Sequence, residues 1–185
     1  MSVIQFKVEG QIIKKNPGFH LEDRNLLDKI DYERGVITLD GKEYEMLDIN
    51  FPTIDPKHPY ALSKDEEEIM SRLESAFLNC EKLQDHMRFL LNKGGLYKVY
   101  NGNLLYHGCV PLKEDGTLKS VRLYGRSYKG KSLYEVLESY VRKGFYALNK
   151  KEKERGKDMM WYIWLSENSP LFGKDKMATF ERYFL

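Results

Sequence analysis

The clearest periodic pattern of the chain lies between residues 63 and 93. Ser63 and Glu66 have the spacing of a capping box, in which each side chain bonds the backbone amide of the other residue. Apolar residues then recur every three or four positions until Lys93 and the glycine pair after it. These residues are Ile69, Leu73, Ala76, Phe77, Cys80, Leu83, Met87 and Leu90. The spacing predicts one long helix whose apolar face belongs to the core, with Cys80 as a buried packing thiol.

Two further segments alternate like strands around tight turns. Residues 35–47 contain Asp40-Gly41, and residues 96–107 contain Asn101-Gly102. Both dipeptides supply the positive φ angles that a two-residue hairpin turn requires. The second hairpin carries His107 to the open end of its second strand. A histidine at a strand-to-loop junction is either a functional group or a strand cap that bonds a loop carbonyl, and a single histidine specifies no metal site.

The remaining segments give weaker patterns. Residues 3–14 fit either a strand or a helix, and the lysines, asparagine, proline and glycine that follow favour a helix that ends there. Three prolines within residues 50–62 predict an extended connection. The mixed charges of residues 150–158 predict a solvated turn, and residues 159–165, with two tryptophans, predict a buried element.

Residues 125–132, GRSYKGKS, fit the letters of a Walker phosphate-binding loop. Ser132 and Glu135 have the spacing of a second capping box, which predicts that a helix begins at Ser132. A basic, glycine-containing loop before a helix is able to hold a phosphate through backbone amides and charge. Against a Walker loop, Arg126, Tyr128 and Lys129 are bulky for a loop that must wrap a phosphate. We therefore rank a solvated loop first, a sugar-phosphate contact second and a nucleotide site third.

Composition limits the function classes. The 185 residues are 42% hydrophobic and 31% charged, and the formal net charge is +2. Such a weak charge does not indicate a nucleic-acid or membrane-surface partner. No apolar run approaches the ~18 residues of a membrane span. The two cysteines lie in different elements and indicate no disulfide framework. These observations predict a cytoplasmic protein.

Several segments, in order along the chain, resemble the class III fructose-1,6-bisphosphatases. They are FPTIDPKHPYAL at 51–62, NLLYHGCVPLKEDG at 103–116, WYIWLSENSPLFGK at 161–174 and TFERYF at 179–184. Within the second, YHGCVP is similar to the histidine-glycine segment of calcineurin-like metallophosphatases. The resemblance implies a mixed α/β layered sandwich whose central sheet includes residues 96–107. It also implies that His107 ligates one metal of a pair, expected to be Mn²⁺, and that fructose-1,6-bisphosphate is the substrate.

The other metal-ligand motifs of a calcineurin-like site are absent from the sequence. We therefore expect an internal fragment that is inactive alone. Its expected partners are the remainder of the same polypeptide and, in a homo-oligomer, further copies of it. Residues 1–62 are expected to be an insertion or linker, and residues 63–185 part of the catalytic domain. Arg126, Lys129 and Arg182 are candidate contacts for a substrate or effector phosphate. The alternative function is a non-catalytic module that binds a phosphorylated ligand or a protein.

Overall fold

The structure, a computed structural model, describes residues 2–171. This part of the chain forms two compact units, one through Asn79 and one from Cys80 onward. Its helices are α1 (Ser2–Lys15), α2 (Lys64–Leu78), α3 (Glu81–Lys93), α4 (Lys131–Tyr146) and α5 (Lys150–Leu165). Its strands are β1 (Ile30–Asp31), β2 (Val36–Leu39), β3 (Lys42–Glu45), β4 (Tyr97–Tyr100), β5 (Asn103–Tyr106), β6 (Val121–Leu123) and β7 (Arg126–Tyr128). The prediction of a mixed α/β protein is confirmed.

The first unit packs α1 against a small sheet of order β1-β2-β3. Both strand pairs are antiparallel, and Asp40 and Gly41 take the positive φ angles of the predicted hairpin turn. The segment at 3–14, for which the sequence favoured a helix over a strand, is helical, and this prediction is confirmed. The buried side chains of this core are Phe6, Leu27, Ile30, Ile37, Met46 and Tyr60.

Tyr60 fixes the proline-rich connection to this core. The connection has no helix or strand, as predicted. The Tyr60 ring is buried, and its hydroxyl donates a hydrogen bond of 3.1 Å to the Asp28 carboxylate. Burial first, and then the charge of Asp28, raise the pKa of this hydroxyl. A phenol that stays neutral and bonded in this way secures an otherwise irregular segment.

A buried ion pair joins α1 to α2. Lys7 is fully buried, and its ammonium donates to a Glu66 carboxylate oxygen at 2.8 Å and to the Thr53 carbonyl at 2.5 Å. The same Glu66 carboxylate accepts from the Ser63 amide, and the Glu66 amide donates to the Ser63 hydroxyl. The predicted capping box is therefore confirmed, and it also holds the carboxylate that neutralises Lys7.

The prediction of one helix from 63 to 93 is wrong. Cys80 has extended backbone angles and is the N-cap of α3, so α2 ends at Leu78 and the periodic pattern runs across two helices. The prediction that the apolar face lies in the core also fails for α2, because every residue from Ser71 to Cys80 is exposed. Cys80 is an exposed free thiol instead of a packed one. In α3 only Leu91 is buried.

The second unit is built on the antiparallel pair of α4 and α5. Leu133, Tyr134 and Leu137 of α4 are buried, as are Met159 and Tyr162 of α5. The two helices meet at glycines: a Cβ added to Gly156 would lie 2.2 Å from the Gly144 nitrogen and 2.5 Å from the Gly144 Cα. No side chain fits between two backbones at this distance, so position 156 requires glycine. A Cβ added to Gly144 would lie 3.1 Å from the Gly156 carbonyl carbon, a tight contact that also favours a small residue.

The charged run at 150–158 was predicted to be a solvated turn, and this is wrong. It forms the first half of α5, whose N-cap Asn149 accepts a hydrogen bond from the Glu152 amide at 3.1 Å. The charges lie on the exposed side, while Gly156 and Asp158 face inward. The prediction that residues 159–165 are buried is correct for Met159, Tyr162, Ile163 and Leu165. On the other side of the helix Met160 and Trp164 are exposed and Trp161 is half-buried.

Replacement of Gly156 by alanine should destabilise the full-length protein by ~1–3 kcal/mol despite the better helix propensity of alanine, because the new methyl forces α4 and α5 apart. Urea unfolding with a signal from the second unit measures this effect. The control is Lys153→Ala at an exposed position of the same helix, which should change stability by less than ~0.5 kcal/mol. Equal stability of the two variants would contradict the close helix contact.

No helix among residues 2–171 is both long enough and apolar enough to cross a membrane. The layered sandwich expected from the family resemblance remains a prediction, since the sheets in the described part are small and separate. The expectation that residues 63–185 belong to the catalytic domain, and residues 1–62 to an insertion or linker, also remains a prediction.

Candidate functional site

The β4–β5 hairpin places His107 where the sequence predicts it. The strands pair antiparallel from Tyr97 opposite Tyr106 to Tyr100 opposite Asn103. Asn101 and Gly102 close the turn with φ angles of 48° and 74°. His107 is the first residue after β5, and its side chain is exposed. A short turn and a fixed register therefore determine the position of the imidazole.

The segment after His107 is fixed by backbone contacts. A Cβ added to Gly108 would lie 2.6 Å from the Pro170 carbonyl oxygen, and the next amide, that of Cys109, donates to that oxygen at 3.0 Å. The Tyr134 hydroxyl of α4 donates to the Cys109 carbonyl at 2.7 Å. Gly108 is thus explained by close packing against the 170–171 backbone, a reason that sequence reasoning missed.

Cys109 itself is a packing residue. Its thiol lies 3.4 Å from the Ser169 carbonyl, and partial burial raises the pKa of the thiol. A nucleophilic cysteine needs the opposite shift, which positive charge or a helix N-terminus would provide. The geometry therefore favours a structural role for this thiol.

His107 shares an open cleft of about 870 Å³ with Glu135 and Glu138 of α4. Glu138 accepts from the Leu96 amide at 2.5 Å, and Glu135 lies 3.5 Å from the Tyr97 hydroxyl. These carboxylates therefore help to hold β4 against α4. Sequence reasoning did not identify them, because only the α4 fold positions them beside the hairpin.

The His107 ring makes no hydrogen bond in the part of the chain that the structure describes, so the strand-cap alternative has no observed carbonyl partner. Across residues 2–171 there is also no group of three or more histidine, cysteine, aspartate or glutamate side chains able to hold a metal ion. An exposed imidazole at a rigid strand end suits one ligand of a metal site. Further ligands would have to come from outside the described residues.

The basic segment at 125–132 is not a Walker loop. Tyr124 and Gly125, with φ angles of 46° and 84°, form the turn between β6 and β7. Residues Arg126–Tyr128 then pair with Val121–Leu123 as a strand. A Walker loop needs consecutive amides that curve around a phosphate, whereas this backbone is extended in a ladder. This backbone geometry therefore rules out a nucleotide site of the Walker type in this segment.

The start of α4 also differs from the prediction. Gly130 is the N-cap, with no side-chain cap bond, and the helix begins at Lys131. The Ser132 hydroxyl accepts from the Lys129 amide at 3.1 Å and donates to the Lys129 carbonyl at 2.9 Å. The capping box of Ser132 with Glu135 is therefore wrong. The candidate phosphate contacts Arg126 and Lys129 are both exposed, whereas Arg182 lies outside the described residues.

Comparison with known proteins decides the family. The sequence profile of the Firmicute fructose-1,6-bisphosphatases matches residues 1–185. The chain belongs to this family.

Relatives named fructose-1,6-bisphosphatase class 3 align with the whole chain. The proteins of Clostridium botulinum (strain Alaska E43 / Type E3) and Clostridium novyi (strain NT) are each 52% identical to it over 186 residues. That of Alkaliphilus metalliredigens (strain QYMF) is 52% identical over 188 residues. In each case the match covers 100% of this chain and 28% of the relative. No solved structure matches the chain.

These comparisons confirm the resemblance drawn from the sequence segments. They also agree with the expectation of a fragment, since the chain spans 28% of the length of the curated relatives it matches. The family implies a divalent-metal requirement. Two of the segments that carried the resemblance, 161–174 and 179–184, fall partly or wholly outside the described residues.

Proposed function

We propose that this chain is part of an enzyme that hydrolyses the C1 phosphate of fructose-1,6-bisphosphate in gluconeogenesis. The observation that carries the proposal is the 52% identity to class 3 fructose-1,6-bisphosphatases along the entire chain. Identity spread over all 185 residues does not favour the alternative of a non-catalytic binding module. A cytoplasmic location suits an enzyme that acts on a sugar phosphate.

In this proposal His107 is a metal ligand, and the metal is Mn²⁺ in a pair. What supports the role is the exposed imidazole, without hydrogen bonds in the described part, at the end of a rigid hairpin. A divalent cation bound there would neutralise charge on the phosphoryl group and activate water. The hairpin fixes the backbone of His107, and the contacts of Gly108 and Cys109 with residues 169–170 hold the loop behind it.

The proposal assigns residues 63–185 to the catalytic domain and residues 1–62 to an insertion or linker. It also places β4 and β5 in a larger central sheet of a calcineurin-like sandwich. All eight residues of the two strands are exposed or half-buried, and they include Val99, Leu104 and Leu105. A two-stranded hairpin with apolar residues exposed is marginal in water, so further strands would stabilise it.

The test of the function uses the full-length enzyme and residues 1–185 in parallel. With Mn²⁺ and fructose-1,6-bisphosphate the full-length enzyme should release phosphate. The 185-residue chain should not, because one histidine does not assemble a site that clamps a phosphoryl group. Absence of hydrolysis by the full-length enzyme would reject the proposed function. Robust turnover by residues 1–185 alone would show that the metal site needs no ligands from outside these residues.

Arg126 and Lys129 are proposed to contact a substrate or effector phosphate, together with Arg182. Arg126 lies in β7 and Lys129 lies between β7 and α4, and both side chains are exposed, so both cations are accessible. In the full-length enzyme, Arg126→Ala should raise the apparent KM or weaken an effector response, at a cost of ~1.5–3 kcal/mol if a charged hydrogen bond is lost.

Steady-state kinetics over a range of substrate concentrations measures that effect. Arg155→Ala is a matched control, because this exposed arginine lies over the Tyr124 ring and is not a proposed phosphate contact. Unchanged kinetics for the alanine variants of both Arg126 and Lys129 would show that neither side chain contacts a phosphate and would favour the interpretation of a solvated segment.

A further inference from the structure

The C-terminal half of α2 presents an apolar groove to solvent. Leu62, Met70, Leu73 and Phe77 line it, and its volume is about 610 Å³. The three helical residues recur at intervals of three and four, so they form one stripe along the helix. Leu73 is 38% exposed and the neighbouring Ile69 is 45% exposed. We call this surface the α2 groove.

One edge of the α2 groove is acidic. Glu67 and Glu74 both line it, and their spacing of seven residues places them on the same side of the helix. Neither carboxylate forms an ion pair in the part of the chain that the structure describes. Two other glutamates of α2 do form ion pairs, Glu66 with Lys7 and Glu68 with Arg72. The groove therefore combines an apolar floor with an unneutralised negative edge.

This combination identifies the shape and charge of its occupant. A stripe with helical spacing in a groove fits the apolar face of a second helix. The acidic edge fits lysine or arginine along one side of that helix, because complementary charges fix its register. A second copy of α2 fits poorly. Two such helices packed antiparallel would bring Glu67 of one copy toward Glu74 of the other, and like charges there are unfavourable.

The source of such a helix follows from chain length. The matched region is 28% of each class 3 relative, so most of the polypeptide lies outside it. We propose that the α2 groove binds an amphipathic helix with a basic edge that belongs to the same polypeptide, outside residues 1–185. The α2 groove is then an internal packing surface of the complete enzyme. This inference does not depend on the activity of the enzyme.

Zero-length carbodiimide cross-linking of the full-length enzyme tests the proposal, because the reagent couples carboxylates only to amines in contact. An equal mixture of ¹⁴N- and ¹⁵N-labelled enzyme separates links within one polypeptide from links between two. Glu67 or Glu74 should couple to a lysine beyond residues 1–185, with unmixed isotopes. The Lys143–Glu152 pair, at 2.8 Å and exposed, serves as the internal positive control.

Variants sharpen the test. Leu73→Ser should reduce the cross-link about tenfold, because it removes an apolar contact from the floor of the groove. Arg72→Ser, in the same helix but outside the groove lining, should leave it unchanged. Mixed-isotope links from Glu67 or Glu74 would overturn the proposal in favour of self-association or another subunit. Absence of any link from these residues, while Lys143 couples to Glu152, would overturn it as well.

Discussion

His107→Ala in the full-length enzyme should lose metal from one site and lower kcat more than ~100-fold. The size follows from the chemistry of metal sites, where loss of a partner that only orients a ligand already costs 10–100-fold. Bound metal, measured by mass spectrometry of the desalted enzyme, and kcat with saturating fructose-1,6-bisphosphate report the two effects. Both should fall together if the imidazole is a ligand.

The same variant should fold normally. The His107 side chain is exposed and makes no hydrogen bond among the described residues, so its removal takes nothing from the hairpin. His86→Ala, another exposed histidine in the second unit, is the matched control and should keep both metal and turnover. Full metal occupancy with normal kcat in His107→Ala would show that the imidazole has no part in the site.

The position of His107 could be predicted because it depends on local interactions. Asn101 and Gly102 determine the turn, the turn determines the register, and the register determines which residue follows the last pair. The hairpin at Asp40 and Gly41 and the capping box at Ser63 were predicted for the same reason. In each case the deciding contacts join residues only a few positions apart.

The wrong predictions concern segments whose sequence pattern is compatible with more than one secondary structure. Apolar residues at helical spacing continue through Cys80, yet the backbone there is extended and a new helix starts. The letters of residues 125–132 satisfy a phosphate-loop pattern, but a turn at Tyr124 and Gly125 pairs the segment as a strand. The charged run before Asp158 forms a helix because Asn149 caps it and Gly156 lets it pack closely on α4. These outcomes depend on tertiary contacts.

The Lys7–Glu66 pair shows why such contacts escape sequence analysis. The two residues are separated by 59 positions, and the residues next to each of them in the sequence do not indicate a buried charge. Glu66 was predicted only as a member of a capping box. Lys7 stands in a helix with a weak apolar pattern, where a lysine is normally exposed. Only the packing of α1 against the start of α2 brings these two charges together.

Separating this pair should have the largest effect on stability. Glu66→Gln can keep a hydrogen bond to the Ser63 amide, but it leaves the fully buried Lys7 ammonium without its counter-charge. Loss of one partner of a buried ion pair costs ~3–5 kcal/mol. Glu33→Gln, at an exposed position of the same unit and outside the α2 groove, is the control and should cost less than ~0.5 kcal/mol. Urea unfolding of the full-length protein measures both, and equal midpoints would contradict the pair.

The pH dependence gives an independent test of the same contact. Burial alone would raise the pKa of the Glu66 carboxyl, but hydrogen bonds from Lys7 and from the Ser63 amide outweigh it and hold the pKa below its ordinary value of 4.5. The unfolded chain therefore binds a proton at a higher pH than the folded chain does. The stabilisation is complete above pH 4.5 and is lost as the pH falls through the folded pKa. Stability measured from pH 6 downward should fall more steeply for the parent than for Glu66→Gln, which has no carboxyl to titrate at this position. Identical slopes for the two proteins would show that Lys7 does not stabilise the ionised carboxylate.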